Sequence, residues 1–208
     1  VFGWTGIDDR MSPFNAVAHA FTTLPTGGFS PEARSVEAFT AASQWVIVVF
    51  MALAGMNFAL LYRVFVRRKV RVVARDEEAR LYLTILALMS ALLAVLLWKE
   101  EVHGGEAAFR QATFQVVSMM TTTGYASTDF VVWPAFALMI LIGVMLVGGS
   151  AGSTGGAIKV VRHLLLGKVL RRELRQTLHP EVVMPIRLNG AVVDERTLRA
   201  IAAFVLLY

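Results

Sequence analysis

Long apolar runs divide the chain. Residues 41–62, 81–98 and 130–158 carry no charged side chain over 22, 18 and 29 positions, and a further apolar run begins at Leu198. An α-helix crosses the apolar core of a bilayer with about 20 residues. The pattern therefore predicts an all-α membrane protein with one span in each run.

The distribution of Lys and Arg orients these spans. Segments 63–80 and 159–187 hold many more basic than acidic residues, whereas loop 99–110 does not. Loops rich in Lys and Arg stay on the cytoplasmic side. The run 81–98 is therefore predicted to cross outward, and the run 130–158 to cross inward.

Two further apolar segments are too short to cross. Residues 107–120 and 14–24 contain 14 and 11 residues, and the predicted orientation requires both to enter from outside and return. Each ends in Thr-x-Gly followed by an aromatic residue, and the two patterns lie 96 residues apart. We therefore predict two re-entrant pore loops in repeated helix–pore loop–helix units that are related by pseudo-symmetry.

The two repeated patterns have the composition of a cation filter. Main-chain carbonyls replace the hydration shell of a cation, and glycine reaches the left-handed backbone angles that turn successive carbonyls the same way. The aromatic side chains are expected to pack outward and fix the width of the loop, and ordinary glycine turns are the alternative. The predicted ion-binding residues are Thr26, Gly27, Gly28, Phe29, Thr122, Thr123, Gly124 and Tyr125.

A glycine-rich segment interrupts the third apolar run. Each glycine disfavours a helix by about 1 kcal/mol relative to alanine, so we predict an intramembrane loop that gates the pore. Alternatives are close helix packing through small residues and a serine nucleophile in the loop, although the G-x-S-x-G pattern is absent. The predicted gating residues are Gly148, Gly149, Ser150, Ala151, Gly152, Ser153, Thr154, Gly155, Gly156 and Lys159.

The amino-acid composition is typical of a membrane protein and excludes chemistry that requires cysteine. Hydrophobic residues make up 56% of the chain, and the mean hydropathy is +0.61. The chain has no cysteine, which excludes disulfides and thiolate metal sites. It is expected to be a piece of a longer polypeptide, with no enzymatic activity, no covalent cofactor and no nucleic-acid partner.

Three motifs carry a resemblance to a known family. Segments 22–30 (TTLPTGGFS), 121–125 (TTTGY) and 148–162 (GGSAGSTGGAIKVVR) resemble the Trk/Ktr/HKT superfamily of potassium transporters, and most of all its Trk-type bacterial membrane subunit. The likeness continues through His179-Pro180 and Asn189-Gly190.

The resemblance implies four helix–pore loop–helix repeats around a pseudo-four-fold pore, with one inward helix broken by the glycine-rich loop. Residues 1–75 would supply the pore loop and inner helix of one repeat, residues 76–178 a complete repeat with the gating loop, and residues 179–208 a cytoplasmic hairpin and the start of the next repeat. It further implies a multi-pass protein of the inner (plasma) membrane, a homodimer, and a cytoplasmic nucleotide-binding ring that docks on residues 162–187.

The predicted function is uptake of a monovalent cation, potassium, which is the cargo and not a cofactor. The ion would pass through a carbonyl-lined filter above a glycine-loop gate. The alternative is a secondary transporter whose broken helices bind substrate at the bilayer midplane.

Overall fold

The computed structural model describes residues 8–179, 181 and 184–208, and these are mostly helical. Residues 1–7 of the first predicted unit, and Pro180 of the resemblance, lie outside the described residues. The helices in chain order are α1 Pro13–Thr23, α2 Ala41–Ala54, α3 Phe58–Phe65, α4 Arg71–Arg75, α5 Glu77–Lys99, α6 Gly105–Met120, α7 Ala135–Val147, α8 Val160–Leu178 and α9 Glu195–Leu207.

Two small elements join the helices. A 3₁₀ turn at Ser35–Ala38 precedes α2. Strands β1 Arg187–Leu188 and β2 Ala191–Val192 form an antiparallel hairpin between α8 and α9. The hairpin lies in the segment that the positive charges assign to the cytoplasmic side.

Helix α6 is the centre of the packing. It contacts α5, α7 and α2, and its Phe114, Val116 and Met120 side chains are fully buried, as are Leu93 and Leu97 of α5. Helix α6 has 16 residues and lies against the 23-residue α5 and the shorter α2 and α7. Between helices in a bilayer, such burial stabilises the assembly through van der Waals packing, because apolar surface that leaves lipid gains no hydrophobic free energy.

The predicted spans are confirmed only in part. Helix α5, with 23 residues, is the one described helix that is long and apolar enough to cross a bilayer by itself. Helix α7 is apolar but has 13 residues, because the run 130–158 begins as a turn and ends in the glycine-rich loop. The run 41–62, predicted as one membrane-spanning helix, is instead divided into α2 and α3, which meet at an angle of 112° and only together are long and apolar enough for a span.

Packing and capping explain the break between α2 and α3. The Asn57 side chain accepts a hydrogen bond from the Leu60 N–H at 3.2 Å and so caps α3. Gly55 lies so close to its neighbours that an added Cβ would overlap Tyr82 Oη and lie 2.7 Å from Thr121 Cγ2. The Tyr82 hydroxyl donates to Ala52 O at 2.9 Å and is fixed there. Hydropathy contains none of this information.

Asp8 fixes the start of α2. Its Oδ2 atom accepts hydrogen bonds from the Thr40 N–H and hydroxyl, both at 2.9 Å, and from the Ser43 hydroxyl at 2.6 Å. Burial raises the pKa of the Asp8 carboxyl, but these hydrogen bonds outweigh burial, and the pKa is lowered from its ordinary value. The carboxylate therefore joins α2 to the chain before α1 at neutral pH.

The contact between Gly55 and Tyr82 predicts a steric effect. We expect Gly55→Ala to lower the free energy of unfolding by about 1–3 kcal/mol, because the added methyl group overpacks the core. Gly143→Ala is the matched control, since nothing lies within 4 Å of a Cβ at Gly143. Thermal unfolding in detergent measures both variants. Tyr82→Phe should partly restore the stability of Gly55→Ala, and equal stability of the two alanine variants would contradict the prediction.

Candidate functional site

The two Thr-x-Gly patterns, here called the first (26–29) and second (122–125) threonine–glycine segments, have the same backbone conformation. The first follows the end of α1 and the second follows the end of α6. Left-handed φ angles occur at Thr26 (56°) and Gly28 (68°), and at Thr122 (57°) and Gly124 (84°). The left-handed angles at the glycines were expected, whereas those at the threonines were not.

Hydrogen bonding repeats in the same register. The carbonyl of Thr22 accepts from the N–H groups of Gly27 at 2.8 Å and Gly28 at 3.2 Å. The carbonyl of Ser118 accepts from the N–H groups of Thr123 at 2.9 Å and Gly124 at 3.3 Å. In both segments the last turn of the preceding helix therefore supports the residues before and at the glycine.

The two segments lie side by side. A Cβ added at Gly28 would overlap the carbonyl oxygen of Thr123. The Tyr125 hydroxyl is hydrogen-bonded to the hydroxyl of Thr22 at 2.5 Å and accepts from that of Thr23 at 3.3 Å, so the second segment is joined to α1. Only glycine at position 28 permits this separation, because any side chain would meet the neighbouring backbone.

The two aromatic residues have different surroundings. Tyr125 is fully buried, and its ring lies 5.7 Å from that of His19. Phe29, the corresponding residue of the first segment, is 77% exposed. The packing expected of both residues is therefore present for Tyr125 alone within the described residues.

The glycine-rich loop (148–156) docks on the break between α2 and α3. The N–H of Ser150 donates to Gly55 O at 2.8 Å, and the N–H of Phe58 donates to Gly152 O at 3.0 Å. An added Cβ at Gly149 would lie 3.0 Å from Gly55 O. Two interrupted helices thus satisfy each other's free backbone groups, which is the condition for irregular backbone at membrane depth.

The same loop also contacts the second threonine–glycine segment and the end of α1, just before the first segment. The N–H of Gly156 donates to the hydroxyl of Thr122 at 2.7 Å. The Thr154 hydroxyl lies 3.1 Å from Leu24 O, at the end of α1, and can donate to it. The loop therefore lies against the residues at which both segments begin. Thr122 uses its hydroxyl oxygen for this contact, and Thr26 donates its own to Pro25 O at 2.6 Å.

Lys159 binds its own loop. Its Nζ atom donates to Gly155 O, and its backbone is left-handed with φ of 82°. Its hydrogen bond closes the end of the loop just before α8.

A serine nucleophile is not assembled. The Ser150 hydroxyl is buried with no hydrogen-bond partner among the described residues, and the Ser153 hydroxyl donates to Ser150 O at 2.6 Å. The ring of His163 contacts Lys159 O at 3.1 Å rather than either serine. No cluster of His, Asp and Glu within the described ranges has the arrangement of a metal site.

Sequence reasoning missed one residue of the site. Glu78, in the first turn of α5, is buried and accepts a hydrogen bond from the N–H of Ala151 at 2.5 Å. It stands within a run of three acids beside many basic residues, so its charge pattern indicates only an exposed cytoplasmic loop. The one available signal was that Glu78 is the last acid before the apolar run.

Comparison with known proteins agrees with this geometry. The mostly helical fold, with one long apolar helix, is similar to that of membrane proteins that transport cations. Residues 4–208 match the family model described as TrkH, cation transport protein. The chain belongs to the TrkH family.

Relatives match over most of this chain. The Trk system potassium uptake protein TrkH of Escherichia coli (strain K12) is 35% identical over 200 residues, which are 95% of this chain and 41% of that protein. TrkI of Halomonas elongata is 37% identical over 199 residues, which are 93% of this chain and 39% of that protein. The crystal structure of the potassium transporter TrkH from Vibrio parahaemolyticus matches with a TM-score of 0.90 at 35% identity, covering 99% of this chain and 44% of that chain. The chain thus spans about two fifths of the length of the curated relatives it matches.

The contact between the two segments predicts that their glycines are not equivalent. We expect Gly28→Ala to lower the free energy of unfolding more than Gly124→Ala does. Both variants place a side chain at a left-handed φ, at a cost of about 1–2 kcal/mol. Gly28→Ala also forces the Thr123 carbonyl away, whereas nothing lies within 4 Å of a Cβ at Gly124. Thermal unfolding of the two purified variants in detergent compares them, and a smaller loss in Gly28→Ala would contradict the close approach of the segments.

Proposed function

We propose that this chain supplies part of a pore for potassium uptake, with the carbonyls of residues 26–29 and 122–125 as ion ligands and the loop 148–156 as its gate. The observation that carries the proposal is the repeated backbone. Both segments alternate left-handed and ordinary φ angles in the same register, and they lie side by side. Potassium is favoured as the cargo because relatives at 35–37% identity are named potassium uptake proteins.

The backbone conformation suits a dehydrated cation. Carbonyl oxygens that point to one side replace the hydration shell without a charged side chain. A left-handed angle at a threonine is uncommon and costs roughly 1–2 kcal/mol, so it persists only where surrounding contacts impose it. Its presence at both Thr26 and Thr122 supports a role for the carbonyl positions themselves.

Helix direction adds to the attraction of a cation. Both α1 and α6 end immediately before their segments. The carboxyl end of a helix carries the equivalent of roughly half a negative charge. The two helix ends therefore favour a positive ion near the start of each segment.

The glycine-rich loop has the contacts of a closed gate. It is hydrogen-bonded to Thr122 of the second segment and next to Leu24 at the end of α1. An ion leaving the segments toward the cytoplasm would meet this loop. Small residues allow the close approach, since a Cβ at Gly155 would lie 2.9 Å from Thr121 O.

The exposure of Phe29 supports a larger ring. Phe29 is exposed where the corresponding Tyr125 is buried, and a further segment of the same kind would pack against its ring. The pseudo-four-fold arrangement, with units divided at residues 1–75, 76–178 and 179–208, is the one that the family resemblance implies, and we propose it for this chain.

The proposed setting follows from the family and the charges. We infer a multi-pass protein of the inner (plasma) membrane that forms a homodimer and takes no covalent cofactor. A cytoplasmic nucleotide-binding ring would dock on the basic region that contains α8. Helix α8 presents Leu170, Leu174 and Leu178 on an exposed face, at 62%, 61% and 76% exposure, and this apolar stripe supports a protein partner there.

A second candidate is a secondary transporter with broken helices. The mutual docking of the α2–α3 break and the glycine-rich loop favours it, because such transporters bind substrate where helices unwind. It predicts a substrate site at those breaks and flux coupled to a second ion. It leaves the repeated threonine–glycine geometry without a role.

Uptake of radioactive rubidium tests the proposed function. The full-length protein is expressed in cells deficient in potassium uptake, as wild type, Gly124→Ala and the helix control Gly143→Ala. Strain of about 1–2 kcal/mol in the conducting backbone should lower uptake by Gly124→Ala about tenfold, or abolish its discrimination against sodium. Gly143→Ala should match wild type.

Two results of the rubidium experiment would contradict the proposed pore. Uptake and selectivity of Gly124→Ala equal to wild type, at equal protein amounts, would reduce the segments to turns and favour the secondary transporter. Absence of rubidium uptake by the wild type would overturn the potassium pore.

A further inference from the structure

Glu78 contacts the glycine-rich loop and faces the helix that follows it. Its Oε1 atom accepts a hydrogen bond from the N–H of Ala151 at 2.5 Å. The N–H of Val161, in the first turn of α8, also favours the charged carboxylate. One side chain on α5 therefore joins the loop to the start of α8.

Groups around Glu78 act on its carboxylate in both directions. The amino end of α8 attracts negative charge. Its capping residue, Lys159, makes no side-chain hydrogen bond to the first turn of the helix. The Glu78 carboxylate is attracted to Lys159 and repelled by Asp76. Removal of the carboxylate would leave the Ala151 N–H group without this acceptor, which is costly for a buried donor.

The cytoplasmic hairpin is joined to the two residues before Glu78. At the tip of the hairpin, Asn189 donates from Nδ2 to Asp76 Oδ2 at 2.8 Å and accepts at Oδ1 from the Glu77 N–H at 2.9 Å. Lys168 of α8 binds both Glu77 and Arg187 O. Displacement of the hairpin would therefore move the start of α5.

We propose that Glu78 is a positioning residue that keeps the glycine-rich loop against the threonine–glycine segments, and that Asn189 of the hairpin keeps Glu78 in place. The proposal rests on the proposed function, since it treats the loop as a gate. It assigns a physical route from the cytoplasmic surface to the pore: hairpin, start of α5, Glu78, loop. A partner that pulls on the hairpin would release the loop.

The route is tested by rubidium uptake into liposomes that contain the full-length protein without any cytoplasmic partner. Glu78→Ala removes the hydrogen bond from Ala151 and should raise uptake about fivefold or more, because this hydrogen bond is lost from the closed state alone. Glu78→Gln retains an acceptor oxygen and should stay within about twofold of wild type. Glu173→Ala is the matched control, since Glu173 is an exposed acid of α8 that pairs with Arg172.

Asn189→Ala tests whether the hairpin positions Glu78, and it does so without substitution of Glu78 itself. It should raise uptake by a smaller factor than Glu78→Ala, and the double variant should exceed Glu78→Ala by little, because both changes release the same contact. The ratio of rubidium to sodium uptake should stay at the wild-type value in all variants. A merely structural role for Glu78 would instead lower uptake.

The outcomes separate the two proposals. No uptake by wild type or any variant would count against the potassium pore itself. Uptake by wild type that does not rise in Glu78→Ala, at equal protein amounts, would overturn the role of Glu78, as would an equal rise in Glu173→Ala. If Glu78→Ala does not accumulate, Asn189→Ala decides: a rise supports the route, and a wild-type rate overturns it.

Discussion

Unpaired backbone groups cannot face lipid, and the structure depends on how this constraint is met at two broken helices. The break after α2 and the glycine-rich loop after α7 exchange hydrogen bonds through Gly55, Ser150, Phe58 and Gly152. Neither break would be stable alone at membrane depth. Because each break supplies hydrogen-bond partners to the other, α2 and α3 are fixed to the end of α7 at the level where the threonine–glycine segments begin.

Glycine has three separate tasks in this arrangement. At Gly28 it allows a neighbouring carbonyl to approach, at Gly55 it allows Tyr82 to pack against a helix end, and at Gly124 it permits a left-handed angle in open space. Substitution by alanine therefore has a different physical cost at each position. A count of glycines in the sequence cannot distinguish these tasks.

The sequence was informative where length and charge decide the outcome. Hydropathy and the positions of Lys and Arg predicted the half-length segments that became α1 and α6, and glycine predicted the left-handed angles at Gly28 and Gly124. The break at Gly55 was missed because the run 41–62 is uncharged throughout and the contact that shapes it comes from Tyr82, 27 positions away. Glu78 was missed because local charge indicates solvent, while its burial depends on a loop that follows 73 residues later.

The bond between Tyr125 and α1 has a consequence for how the protein is made. The later segment is attached to the earlier helix, by way of Thr22 and Thr23. During synthesis, the second segment would therefore meet a helix that has already left the ribosome. The order of α1 and Tyr125 along the polypeptide thus sets the order in which the two sides of this contact become available.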